Sequence, residues 1–213
     1  MVLATRNAGK IRELRRILGP AGFTILGLDA ERWLRDTRTN ELELTPSRFD
    51  IRAPYFQLVD SRLLLLDGSE STIRGKRTAA LGHFRLLHES PQPLNLDNFG
   101  NWGSDIPEDR RYCKIYEVVR GARITGTTLP YGRARLSLDV RVGRSRRFTY
   151  RSSTKSDGSG KFVFTVPYAT EITGAEEVRA EGPYRIETGE GKAFSIQVPA
   201  AAVTEGREVE ALS

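Results

Sequence analysis

The chain has 213 residues, enough for one large domain or two small ones with a real core. Apolar residues make up 38% and charged residues 28%, and the formal net charge is +6, with basic side chains interspersed among acids. That pattern argues for a mixed, solvated surface and against the clustered stripe of a nucleic-acid footprint, so no nucleic-acid partner is expected. A single cysteine excludes an intrachain disulfide.

The N-terminal part reads as a mixture of strand, loop and helix. Residues 2–5 form a short apolar run and residues 6–9 a loop. Ile11, Leu14, Ile17 and Leu18 then recur at the spacing of an amphipathic helix, which Gly19 and Pro20 stop. Residues 24–28 could return as a strand, and residues 31–52 are polar around Trp33 and Leu34. Pro54 opens a stretch, Tyr55 to Leu66, with apolar positions at helical spacing, ended by Asp67 and Gly68. Residues 69–79 are expected to form an exposed loop, and residues 83–90 a short apolar-polar stretch. Residues 91–111, rich in Pro, Asn, Asp and Gly, read as a linker.

After this linker the period changes to two. Alternation runs through residues 114–119, 122–126, 134–142, 147–151, 161–166, 183–187 and 193–198, with Gly and Pro turns between them. Short strands at this spacing predict a β-sandwich or barrel. Leu136, Leu138, Val140 and Val142 share one face; Arg135, Ser137, Asp139 and Arg141 share the other, which is expected to be solvated. The predicted class is therefore α+β: a mixed α/β unit over residues 1–105 and an all-β domain over residues 112–213.

Few residues suggest chemistry directly. Cys113 lies beside an alternating run and reads as a strand thiol, since no partner motif is near. His83 and His88 lack nearby cysteines or an evident third ligand and read as structural. Asp97, Asp105, Glu108 and Asp109 are acidic but lack regular calcium-loop spacing, and Asp157 to Gly160 reads as a tight turn. None of Asn7, Asn40, Asn95, Asn98 and Asn101 is followed two places on by Ser or Thr, so those positions are not glycosylation acceptors. The longest aliphatic run, Leu63 to Leu66, is far shorter than the ~20 residues of a membrane span. Arg6 and Lys10 follow the opening apolar residues at once, unlike a secretory leader, so the isolated chain is expected to be soluble.

Four ordered segments carry a family resemblance. Lys114 to Gly126, Arg147 to Arg151, Asp157 to Tyr168, and Gly182 to Tyr184 resemble the C-terminal β-domain of archaeal oligosaccharyltransferases. Pro54 to Leu64, Asp67 with Gly68, and His83 to Ser90 resemble the part of the central unit that precedes it. The resemblance covers roughly residues 45–213. It implies a parent enzyme that moves a glycan from a dolichyl (pyro)phosphate carrier to Asn in Asn-x-Ser/Thr, using a divalent metal, Mg or Mn, at the external face of an archaeal plasma membrane. The family's Trp-Trp-Asp-Tyr-Gly motif is absent, and Trp102 sits in a different context. The metal-binding carboxylates belong to a many-helix membrane domain that is also absent. The resemblance thus implies a structural or acceptor-peptide-binding piece that does not catalyse alone, with the acceptor polypeptide and, through the membrane domain, the lipid-linked glycan as partners. Lys10 is the one residue it offers for acceptor binding, as the basic end of a second family motif.

Residues 2–14 separately resemble the opening of the inosine/xanthosine triphosphate pyrophosphatases. There a strand delivers a Thr-x-Asn-x-x-Lys loop to phosphates, which would make Thr5, Asn7 and Lys10 nucleotide ligands. Neutral hydrogen bonds, a point charge and a following helix N-terminus suit an anion. No acidic segment that would hold the family's metal follows Asp29. The alternatives to the transferase reading are accordingly such a pyrophosphatase or an interaction module without activity.

Overall fold

The computed structural model describes residues 2–4, 12, 16, 34–36, 49–51, 57–73, 75–92, 111, 113–144, 146–171 and 176–211. The described chain is mostly strand with few helices. It divides into two compact units: residues 1–67, 71–78 and 89–116 form the first, and residues 68–70, 79–88 and 117–213 the second. No helix among the described residues is long and apolar enough to cross a membrane.

In the first unit β1 (Val2–Ala4) is followed by an antiparallel pair, β2 (Leu34–Asp36) and β3 (Phe49–Ile51). A helix then spans Val59–Leu66, starting from extended Leu58. Its residues Leu63 to Leu66 are all buried, as expected of a helix apolar on adjoining faces. Asp67 ends it in the left-handed conformation at φ 54°, and Gly68 follows at φ 70°. The expected loop over residues 69–79 instead contains an antiparallel hairpin, β4 (Ser71–Ile73) with β5 (Lys76–Thr78). Three-residue strands rich in Ser, Thr, Arg and Lys show too little alternation to be recognised beforehand. Gly75 at φ 73° supplies their turn, and Thr78 accepts a hydrogen bond from Gln57 at 3.0 Å.

The next strands are β6 (Phe84–Glu89) and β7 (Lys114–Val118). Residues 114–116 of β7 pair antiparallel with β1. They also anchor the helix: Tyr116 Oη donates to Leu63 O at 2.8 Å, and Lys114 Nζ lies 2.6 Å from Asp67 Oδ1. Both side chains of this ion pair are buried, at 1% and 5% exposure. The interior of this unit therefore holds one charge against another rather than an isolated one.

The second unit contains two further sheets. In chain order come β8 (Ala122–Thr127), β9 (Arg133–Val142), β10 (Arg146–Lys155), β11 (Lys161–Val166), β12 (Val178–Ala180), β13 (Tyr184–Thr188) and β14 (Ala193–Ile196). A short helix over Ala200–Glu205 and β15 (Glu208–Glu210) follow. One sheet has the order β10-β9-β13-β14, with β12 also on β9; the other is β11-β8-β15. The long hairpin β9–β10 keeps register from Val142↔Arg146 to Arg133↔Lys155.

Alternation decides which side of β9 is buried. Ala134, Leu136, Leu138, Val140 and Val142 are all buried, as the period-two reading requires. Each larger aliphatic contributes about 1.5–3 kcal/mol of gross burial. Phe162 and Phe164 of β11 are buried too, with ring centroids 5.6 Å apart. Gly126 stands opposite Phe162, whose ring covers it: a Cβ there would lie 2.5 Å from Cζ. Three tyrosines complete the core. Tyr184 Oη donates to Tyr168 O at 2.9 Å and accepts from Tyr168 N at 3.1 Å. Tyr168 Oη in turn accepts from Leu86 N at 3.2 Å, and the Tyr150 ring stands edge-on to Tyr168 at 5.7 Å.

Candidate functional site

Thr5, Asn7 and Lys10, the residues singled out by the sequence, all lie outside the described residues, as do Asp97, Asp105, Glu108 and Asp109. His83 and His88 are described and do not converge on a common site. His83 Nδ1 lies 3.3 Å from Val119 O, and His88 Nδ1 pairs with Glu177 at 2.6 Å. Among the described residues no group of three or more His, Cys, Asp or Glu could hold a metal ion. The divalent metal implied by the family resemblance therefore finds no donor set among them. Cys113 is half-buried, and its backbone N–H donates to Ser90 Oγ at 3.2 Å.

Asp157 behaves as a turn residue. Its Oδ1 accepts from Ser159 Oγ at 2.7 Å, Ser159 N at 2.9 Å and Lys161 N at 2.9 Å. The Ser159 hydroxyl, then the Lys161 amide, hold the carboxyl below its usual range. Gly160, at φ 85°, has no room for a side chain, since a Cβ would lie 2.3 Å from Thr128 O.

The most organised polar constellation is the outward face of β9 and its neighbours. Alternation turns Arg133, Arg135, Ser137, Asp139 and Arg141 away from the core, and strand register sets partners beside them. Glu181, just after β12, is fixed by its N–H donating to Asp139 O at 2.8 Å. Its carboxylate bridges two guanidinium groups: Arg141 Nε at 2.5 Å from Oε1 and Arg147 Nε at 2.7 Å from Oε2. Arg147 foremost, then Arg141, hold the Glu181 carboxyl below its ordinary range. Asp139 accepts from Thr149 Oγ1 at 2.9 Å and faces Arg185 at 3.6 Å. A recess of about 400 Å³ lies beside this network, lined by Asp139, Arg147, Phe148, Thr149 and Glu181. The arrangement offers guanidinium and hydroxyl donors to carboxylates and presents no activated nucleophile; it is equipped to bind. The arginines were legible as an outward face, whereas Glu181, placed by a turn, had no periodic signal.

Comparisons with known proteins converge on one family. Residues 121–209 match the family described as the archaeal glycosylation protein B long peripheral domain. The Haloferax volcanii dolichyl-monophosphooligosaccharide–protein glycotransferase AglB is 30% identical over 172 residues, covering 65% of this chain and 16% of that protein. The chain thus spans well under a fifth of the length of this curated relative. Two solved structures of oligosaccharyltransferase from Archaeoglobus fulgidus share the fold. The complex with Zn and sulfate superposes with TM-score 0.61 at 18% identity, over 84% of this chain and 28% of that one. The complex with an inhibitory peptide and a dolichol-phosphate gives 0.62 at 17%, over 84% and 26%. The matched segment, residues 121–209, is β-rich. Over residues 121–209 the chain is thus similar to that peripheral-domain family, and over a longer stretch to the Haloferax glycotransferase.

Proposed function

We propose that this chain is a non-catalytic, peripheral portion of an oligosaccharyltransferase that transfers a lipid-linked glycan to Asn of Asn-x-Ser/Thr. The observation that carries this reading is the match of the peripheral-domain family to residues 121–209, which include both described sheets of the second unit but for Glu210 at the end of β15. The matches favour this over a nucleoside triphosphate pyrophosphatase, which gains nothing from them. The chain's role is scaffolding and acceptor-polypeptide binding, with Lys10 as the acceptor-side residue. In this reading residues 1–105 are a mixed α/β central unit, residues 112–213 a sandwich or barrel, and the parent works at the external face of an archaeal plasma membrane. The inhibitory peptide and dolichol-phosphate in one Archaeoglobus complex, and the Zn in the other, support peptide, lipid carrier and divalent metal, Mg or Mn, as ligands of such a parent.

A glycosyl-transfer assay with dolichol-linked glycan, metal and an Asn-x-Thr peptide tests the reading. The chain alone is expected to yield no glycopeptide, while replacing the corresponding segment of the Haloferax relative with residues 121–209 preserves glycosylation by that enzyme. Sustained turnover by the isolated chain, or failure of a well-folded exchange, would refute it.

A further inference from the structure

The outward face of the larger sheet carries an arrangement that folding alone does not favour. Arg179 on β12, Arg141 on β9 and Arg147 on β10 stand abreast, each directly opposite its neighbour in strand register. Like charges directly opposite each other, about 5 Å apart, destabilise a sheet. Glu181 offsets this for Arg141 and Arg147. Arg179 is exposed and has no carboxylate within ion-pair distance among the described residues. Two rows further along, Arg185, Ser137 and Arg151 stand abreast in the same manner. Arg151 is likewise exposed and without a carboxylate partner among the described residues.

The face already shows which chemistry it accepts. Asp139 sits between the Thr149 hydroxyl and Arg185, Glu181 between two guanidinium groups, and Glu70 against Ser153, whose N and Oγ donate to it at 2.6 and 2.8 Å. In each case a carboxylate is met by donors contributed by β9, β10 or β13. The row of Ser137 and Arg151 offers the same pairing of hydroxyl and guanidinium with no carboxylate on it. We propose that this face is a docking surface for an acidic polypeptide, whose carboxylates enter at Arg179 and at Arg151 with Ser137. An arginine-rich sheet face suits a protein partner. The large exposed apolar side chains, Leu129 and Tyr131 among them, lie off these rows.

The test uses the purified chain and fluorescence anisotropy with a labelled poly-glutamate peptide, an equally long poly-glutamine peptide and polygalacturonate, in steps of salt. Poly-glutamate is expected to bind, more weakly as salt rises, and poly-glutamine not to bind. Arg151→Gln and Arg179→Gln are each expected to weaken binding about threefold, and the double variant about tenfold, as for exposed charge pairs. Thermal melting of both variants stays unchanged or rises, because Arg179→Gln relieves repulsion; a merely structural role would lower it. Arg123→Gln, on β8 in the other sheet, is the charge-matched control and leaves binding unchanged. The proposal is overturned if poly-glutamate fails to bind at low salt, if the Arg123 variant weakens binding equally, or if polygalacturonate binds more tightly than poly-glutamate. None of these outcomes touches the transferase reading, which the glycosylation assay tests separately.

Discussion

Tyr184→Phe isolates one atom whose removal the second unit should register strongly. The side chain is fully buried. Its hydroxyl satisfies two main-chain groups of one residue, accepting from Tyr168 N at 3.1 Å and donating to Tyr168 O at 2.9 Å. Phenylalanine keeps the ring and its packing while leaving a buried donor and a buried acceptor without this partner. Losing a bond from each of the two buried groups costs about 1–3 kcal/mol apiece, so a loss of about 2–6 kcal/mol is expected. For a chain of this size that lowers Tm by roughly 10 °C. Urea denaturation followed by tyrosine fluorescence and circular dichroism measures the loss, with Tyr131→Phe, at an exposed position, as the near-neutral control. A loss below about 0.5 kcal/mol would show that the hydroxyl is not the link described. Burial also pushes the Tyr184 phenol well above its ordinary value. The folded phenol therefore stays neutral where an unfolded one, with pKa about 10, would ionise, and its contribution to stability declines as pH rises past that value. The stability gap between wild type and the Phe variant is expected to narrow under alkaline conditions.

Two other perturbations follow from the same geometry. Lys114→Met leaves the Asp67 carboxylate buried without its ammonium partner; a loss of about 3–5 kcal/mol is expected by urea denaturation, with Asp67→Asn in the same chain restoring part of it. Asp157→Ala removes three hydrogen bonds from the turn before β11. Because the Asp157 carboxyl is held below its ordinary range, its contribution is present at neutral pH and lost as pH falls through the lowered folded value. The Tm difference between wild type and variant should therefore shrink on acidification, and a constant difference would contradict it.

The sequence made some of this structure readable and concealed the rest for definable reasons. β9 was legible because it is long, pairs on both sides and buries one face, so the alternation of Leu136, Leu138, Val140 and Val142 survives intact. The helix end at Asp67 and Gly68 was legible from turn chemistry alone. β12 and β15 were not, since Val178–Ala180 and Glu208–Glu210 each span one period of alternation and owe their form to the strands they join. The helix at Ala200–Glu205 was also missed. It is too short to show a periodic face, although Pro199 before it and Gly206 after it, at φ 75°, are ordinary boundary signals. The charged face was half legible. Periodicity placed Arg135 and Arg141 outward, but the pairing of Arg141 and Arg147 with Glu181 depends on bringing residues 34 to 40 positions apart together.

The smaller sheet of the second unit has a consequence for when the domain can finish folding. β15 joins β8 in parallel, Glu208 beside Arg123 and Glu210 beside Thr125, so a strand made early waits for one made more than eighty residues later. On the ribosome, β8 can pair with β11 but keeps a free edge until residues 208–210 have emerged. At a synthesis rate of about 5–20 residues per second, that edge stays open for several seconds. Nascent chains therefore pass through a stage at which β8 is a template for any passing strand, including another copy of β15 from a neighbouring polysome. Completion of this sheet is a late, concentration-sensitive event, and the final clasp matters as much to yield during synthesis as to the finished fold.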